Sequence, residues 1–94
     1  MEGPHESNGL RMRISDIFKI TGRGIVITTQ LEGTGNISIG NTIEVNGDEE
    51  YVVIGIDRFN NALGPSKNIG ILIRGDLRRH RSEYYGNTIR VIKP

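Results

Sequence analysis

β-branched residues recur along the chain from Met12 onward, and glycine or asparagine interrupts them every eight to twelve positions. No segment carries the 3.6-residue hydrophobic period of an amphipathic helix. Short apolar strands separated by turn residues are typical of all-β domains. The pattern therefore predicts an all-β fold, either a sandwich or a barrel.

The alternation predicts where the strands lie. Ile25, Ile27 and Leu31 share one face of the second strand, with Thr29 among them. The short segment between residues 37 and 39 is expected to be extended as well. The predicted strands are residues 13–20, 25–31, 37–39, 42–45, 51–57, 68–74 and 88–92.

Three connections are predicted from their turn residues. The pair Asn46 and Gly47 favours the positive φ angles of a type I′ hairpin, which would reverse the chain into the strand at 51–57. Residues 60–67 (NNALGPSK) are expected to form a loop around Pro65. Residues 76–86 have too few spaced apolar positions for an ordinary helix, so we expect a loop with at most one helical turn.

Length and composition indicate one small domain, because 94 residues hold only one modest core. Residues 1–11 are predicted to be a disordered leader, native or added, and residues 12–94 the single domain. The absence of cysteine fits a reducing cytoplasm. No apolar run reaches the roughly 18–20 residues that a membrane-spanning helix needs, so no membrane contact is expected.

Charge is nearly balanced, with twelve Lys and Arg against eleven Asp and Glu. A net charge of +1 gives a field too weak to attract nucleic acid globally, so any phosphate contact depends on a local patch. The candidate patch spans 74–81, and its candidate phosphate contacts are Arg78, Arg79 and Arg81. A solvated loop is the alternative interpretation of this patch.

Sequence motifs for catalysis are missing: there is no GxxxxGK[ST] loop, no GxSxG elbow and no HExxH pair. The two histidines, His5 and His80, have no second ligand at metal-binding spacing. No spacing pairs the carboxylates into an acid–base dyad. We therefore expect no enzyme activity, no metal, no cofactor and no nucleotide bound by this chain alone.

Three stretches carry a family resemblance when they are taken in order. They are SDIFKITGRGIVITTQLEG at residues 15–33, ISIGNTIEV at 37–45 and NIGILIRG at 68–75. Together they resemble the second domain of elongation factor Tu and related translational GTPases, and the match covers nearly all of residues 12–92. The resemblance implies a small closed antiparallel β-barrel.

In that family the barrel helps to bind the aminoacylated 3′ end of transfer RNA or contacts ribosomal RNA, while a preceding domain hydrolyses GTP. The resemblance therefore implies a stand-alone, non-catalytic binding module that lacks the GTPase domain. Its implied partners are transfer RNA or ribosomal RNA. The alternative is a protein-interaction module that docks onto a separately encoded GTPase-like chain or another protein.

The resemblance also implies site residues. Asp16 and Phe18 match the strand beside the aminoacyl group, and Leu31, Asn68 and Leu72 match positions around the terminal adenosine. The remaining implied site residues are Arg23, Gly24 and Thr28 in the segment that begins with GRG, and Lys67 beside Asn68.

Two departures from the family pattern affect this pocket. Lys67 stands where elongation factor Tu usually has an acidic residue, and Thr29 replaces a glycine. Structural alternatives also remain open, since Phe18, Leu31 and Leu72 would serve equally to fill the core, Gly24 to bend a strand and Asn68 to cap a turn.

Overall fold

Six strands make up the fold in a computed structural model, which describes residues 10–32, 35–61 and 64–93, with side chains except at 58–61 and 64–67. A single 3-10 turn, Arg81–Glu83, accompanies the strands in the described part of the chain, so the prediction of an all-β fold is confirmed. The strands are β1 Arg11–Ile20, β2 Gly24–Glu32, β3 Thr42–Val45, β4 Glu49–Asn61, β5 Gly64–Ile73 and β6 Thr88–Lys93.

The strands form one antiparallel sheet that closes on itself in the order β1-β2-β5-β4-β3-β6. The sequence left a sandwich and a barrel open, and the closed, barrel-like ring is what the structure has. Closure depends on β1 and β6, which pair only over Arg11 to Arg13 on β1. A closed sheet leaves fewer unpaired backbone groups at its edges than an open one.

The core lies inside the ring and consists mainly of isoleucine. Ile17, Ile27 and Ile71 are register partners across β1, β2 and β5, and all three are buried. Thr29 is the polar exception on the inward face of β2, and its hydroxyl donates a hydrogen bond to the Ile69 carbonyl oxygen at 3.3 Å. A buried hydroxyl with such a partner avoids the cost of an unmade hydrogen bond.

Two predicted segments differ from the structure. Residues 37–39 are not a strand, because the chain there forms a turn in which Asn41 Oδ1 accepts a hydrogen bond from the Ser38 amide. The predicted loop at 60–67 is also wrong, since β4 continues to Asn61 and β5 begins at Gly64. Before Asn68, β5 pairs with β4 alone, and a two-stranded ribbon with an open edge tolerates Pro65.

The N-terminal boundary lies slightly before the predicted one. β1 begins at Arg11, and Leu10 is already buried against the core. The predicted leader otherwise falls in residues 1–9, which lie outside the described residues.

The hairpin between β3 and β4 turns at the predicted pair. Asn46 and Gly47 have φ angles of 58° and 78°, and the Asp48 amide donates to the Val45 carbonyl oxygen at 3.4 Å. Two consecutive positive φ angles are the requirement of a type I′ turn, which asparagine and glycine meet at low cost. β4 begins at Glu49, two residues before the predicted start.

We call residues 74–87, which join β5 to β6, the strap. It contains the 3-10 turn, in agreement with the single helical turn expected here. Its end is bonded to β1, because the Ile14 amide donates to the Asn87 carbonyl oxygen at 2.9 Å and the Gly86 amide donates to the Ile14 carbonyl oxygen at 2.8 Å. The strap therefore continues the β1 contact that β6 begins.

A buried carboxylate holds the strap on the β3–β4 hairpin. Glu49 is 1% exposed and accepts hydrogen bonds from the hydroxyls of Tyr51 and Tyr84 and from Arg79 Nη1, the last at 2.8 Å. Arg79 also bonds Asp48 through Nη2 at 3.0 Å. A buried charge with three donors, one of them a cation, is compensated, whereas an unpaired one would be strongly destabilising.

Gly24 allows β2 to start directly against the end of β5, with φ of +130°. A Cβ atom at this position would overlap the Ile73 carbonyl oxygen, whereas a Cβ at Gly22, φ +80°, would meet no atom within 4 Å. Both alanine variants carry the strain of a positive φ, about 1–2 kcal/mol, but only Gly24→Ala adds a backbone clash. We expect Gly24→Ala to lower the free energy of unfolding by about 3 kcal/mol and Gly22→Ala by about 1 kcal/mol. Urea denaturation of the two variants checks this, and equal losses would contradict it.

Tyr84 is expected to stabilise the strap through its hydroxyl, which donates to Glu49 and accepts from the Arg79 amide at 3.0 Å. Tyr84→Phe removes the hydroxyl that bonds the Glu49 carboxylate and the Arg79 amide, so each loses a hydrogen-bond partner. We expect the free energy of unfolding, measured by urea denaturation, to fall by about 1–3 kcal/mol. Tyr85→Phe is the matched control, because Tyr85 is 41% exposed and its hydrogen bond to Asp16 lies at the surface. The free energy of unfolding of Tyr85→Phe should fall by less than about 0.5 kcal/mol. A similar loss in both variants would rule out a special contribution of the Glu49 contacts.

The same contacts predict how stability depends on pH. Burial, and then the hydrogen bond to Glu49, raise the pKa of Tyr51 and of Tyr84 above the usual 10.0. The folded protein then keeps phenol protons that the unfolded chain loses, so this contribution is full below about pH 10 and declines above it. The hydrogen bond from Arg79 lowers the pKa of Asp48 below 3.8, so that contribution is lost as the pH falls through the acid range.

We therefore expect the free energy of unfolding to fall above about pH 10 by up to about 1.4 kcal/mol per pH unit for each of the two tyrosines. Urea denaturation at a series of alkaline pH values measures the slope. The double variant Tyr51→Phe, Tyr84→Phe should show a shallower slope than the wild type. An unchanged slope would mean that these two phenols do not cause it.

Candidate functional site

A bulge in β1 brings a group of side chains onto the outside of the ring. Met12 and Ile14 are buried, but the register shifts between Ile14 and Asp16, so that Ile17 becomes the inward residue. Asp16, Phe18 and Ile20 therefore lie on the outer side of β1. With their register partners across β2, β5 and β4 they form what we call the outer face.

The first row of the outer face is apolar. Phe18 on β1 is the register partner of Val26 on β2, which in turn faces Leu72 on β5. Phe18 is 50% exposed, and Ile20 beside it is 38% exposed. Leu72 packs over Gly55 of β4, where a Cβ atom would lie 3.2 Å from the leucine side chain. Phe18 is thus an exposed aromatic residue and not part of the core.

The second row is polar and runs parallel to the first. Its register partners are Asp16, Thr28, Gly70 and Asp57, on β1, β2, β5 and β4. The Asp16 carboxylate is oriented by the Ile17 amide at 2.8 Å and the Tyr85 hydroxyl at 3.2 Å. Asp16 and Asp57 end the row three strand spacings apart, about 14 Å. That separation exceeds the distance at which two carboxylates act together on one bond.

The turn between β1 and β2 lies beyond the first row, on the side away from the second row. The Arg23 amide donates to the Ile20 carbonyl oxygen at 3.0 Å, which fixes the turn, and the Arg23 side chain is exposed. Gly24 rests against the Ile73 backbone, as described above. The structure thus gives Gly24 a close approach of two backbone segments, a structural role other than the strand bend that its sequence left open.

The other predicted site residues are more scattered. Leu31 is half-buried and packs against the core, on the inward side of β2, in line with the core-filling alternative. Asn68 is exposed opposite Gln30, where the β2–β5 ladder ends. Lys67 belongs to β5, but its side chain lies outside the described residues.

The three candidate phosphate contacts on the strap divide into two groups. Arg79 is engaged by Asp48 and Glu49, so its guanidinium neutralises carboxylates and holds the strap in place. Arg78 and Arg81 are exposed on the strap surface. The sequence did not distinguish Arg79 from the other two because its partners lie some thirty residues away on the β3–β4 hairpin.

Besides the glycines, the outer face contains Ile20, Val26 and Asp57, which were not predicted as site residues. The alternation along β2 contained a signal for Val26, since it lies between the inward Ile25 and Ile27. The sequence has no such signal for Ile20, because the bulge in β1 decides on which side of the sheet its side chain lies. Asp57 lies in the second row only because of the way β4 pairs with β5.

Within the described ranges, no three His, Cys, Asp or Glu side chains gather in an arrangement suited to a metal ion. None of the helical structure found in those ranges is long and apolar enough to cross a membrane. A comparison of the chain with protein-family models finds no model that matches it.

Proposed function

We propose that the chain is a non-catalytic binding module of the translation-factor type, acting in the cytoplasm, whose outer face binds the 3′ end of a transfer RNA or a segment of ribosomal RNA. One observation supports the proposal above the others. Asp16, Phe18, Thr28 and Leu72, which the family resemblance assigns to the ligand, come from three strands and lie in two adjacent rows. The resemblance requires these residues to share one surface, and their register on three strands agrees with that requirement.

The chemistry of the two rows suits an RNA end. The exposed ring of Phe18 offers a stacking surface, and base–aromatic stacking contributes about 1–3 kcal/mol per base. The Asp16 carboxylate accepts hydrogen bonds, and Asn68 offers both a donor and an acceptor. In the family the GTPase domain closes the pocket, so this face alone presents half a site. We therefore expect a dissociation constant of about 1 mM.

A second function, docking onto a protein, is favoured by the continuity of the apolar row. Phe18, Val26 and Leu72 are adjacent across three strands, and Ile20 extends the patch. Aromatic and aliphatic anchors in one patch are typical of protein interfaces. The partner would be a separately encoded GTPase-like chain or another protein.

The test is an NMR titration of labelled protein with a short aminoacylated RNA that ends in CCA, followed amide by amide. We expect saturable shifts at residues 16–20, 24–28 and 68–72. Phe18→Ala should weaken binding about tenfold, because it removes the stacking surface. Val52→Ala is the matched control, since Val52 is equally exposed, at 52%, but lies on β4 opposite Thr42.

Absence of saturable shifts in the wild type would overturn the RNA proposal. Equal weakening by Phe18→Ala and Val52→Ala would show that the outer face is not the contact surface. Binding of a GTPase-like protein that Phe18→Ala abolishes, without any RNA response, would favour the second function.

A further inference from the structure

Two arginines lie beside each other at the turn end of the outer face. Arg23 precedes Gly24, and the ideal Cβ position of Gly24 is 3.5 Å from the Arg74 Cα atom. The absence of a side chain at Gly24 therefore brings the β1–β2 turn against the residue that follows β5. Arg23 and Arg74 are both exposed.

The local charge is positive and largely uncompensated. Lys19 forms an ion pair with Asp76 of the strap at 3.3 Å, so this carboxylate already has a cationic partner. Among the described residues, neither Arg23 nor Arg74 has a carboxylate partner within ion-pair distance. This contrasts with Arg79, whose guanidinium is held by two carboxylates.

The backbone of the two arginines also has a defined position relative to the apolar row. Gly24 is the register partner of Ile20, and Arg74 comes two residues after Leu72. A strand rises about 3.3 Å per residue, so the Arg74 Cα atom lies about 7 Å beyond the row. One end of the outer face is therefore cationic and the adjoining part is apolar.

We infer that Arg23 and Arg74 form an anion site that binds a phosphate group of a single-stranded nucleic acid while a neighbouring base packs on the Phe18 row. The inference rests on the proposed function and adds Arg74 and the phosphate contact to it. Guanidinium groups bind phosphate through paired N–H donors, and single-stranded segments are bound by cationic surfaces next to aromatic ones.

The first experiment needs no RNA. Labelled protein is titrated with inorganic tripolyphosphate, and the amides of Arg23, Gly24 and Arg74 are followed. We expect saturable shifts in the wild type and a dissociation constant about tenfold higher in Arg74→Ala. Arg11→Ala is the matched control, because Arg11 is an exposed arginine at the opposite end of β1. No saturable shift at these amides, or equal effects of Arg74→Ala and Arg11→Ala, would overturn the anion site.

The second experiment measures the dissociation constant of the CCA-ending RNA as a function of salt concentration. Each phosphate contact contributes about 0.7 to the slope of log affinity against log salt for a single strand. Arg74→Ala should therefore make the slope shallower by about 0.7, while Arg11→Ala should leave it unchanged. An unchanged slope in Arg74→Ala, with RNA still bound, would exclude Arg74 as a phosphate contact. Tripolyphosphate binding without any RNA binding would instead leave the anion site intact and remove the proposed RNA function.

Discussion

The buried carboxylate of Glu49 is the interaction on which the closed ring depends. β1 and β6 share only three register pairs, so their ladder alone closes the sheet over a short distance. The strap adds two backbone hydrogen bonds to Ile14, and the strap in turn is held by Arg79 and Tyr84 on Glu49. A charge in this place would be costly without partners, so its contacts hold the β3–β4 hairpin and the strap in one arrangement.

Ring closure and the β1 bulge together create the outer face. Met12 and Ile14 point inward, and an unbroken alternation would send Phe18 inward with them, because side chains on a strand repeat with a period of two. The extra residue between Ile14 and Asp16 reverses this, so Ile17 enters the core and Phe18 reaches solvent. A single inserted residue thus decides whether the aromatic ring stabilises the core or is presented to a ligand.

How far the sequence predicts this structure depends on how far apart along the chain the interacting residues lie. The Asn46–Gly47 turn and the inward face of β2 follow from neighbouring residues, and both were predictable. The bulge, the pairing of residues 60–61 with 64–65 and the engagement of Arg79 by Glu49 depend on partners elsewhere in the chain. Local pattern therefore favoured a core position for Phe18 over a binding role, and it treated three strap arginines as equivalent.

The exposed apolar residues differ from one another in a way that bears on function. Ile39 and Val52 are exposed on the β2–β3 connection and on β4, away from the outer face, and such exposure is common on soluble proteins. Phe18 and Ile20 are instead continuous with Val26 and Leu72 across three strands. Val26 and Leu72 are half-buried, whereas Phe18 and Ile20 are exposed. Fully burying one such side chain would contribute about 1.5–3 kcal/mol, so leaving two exposed side by side forgoes part of a small domain's stability. The proposed binding role depends on this continuous patch, which is bordered on one side by two arginines without an ion pair among the described residues and on the other by carboxylates.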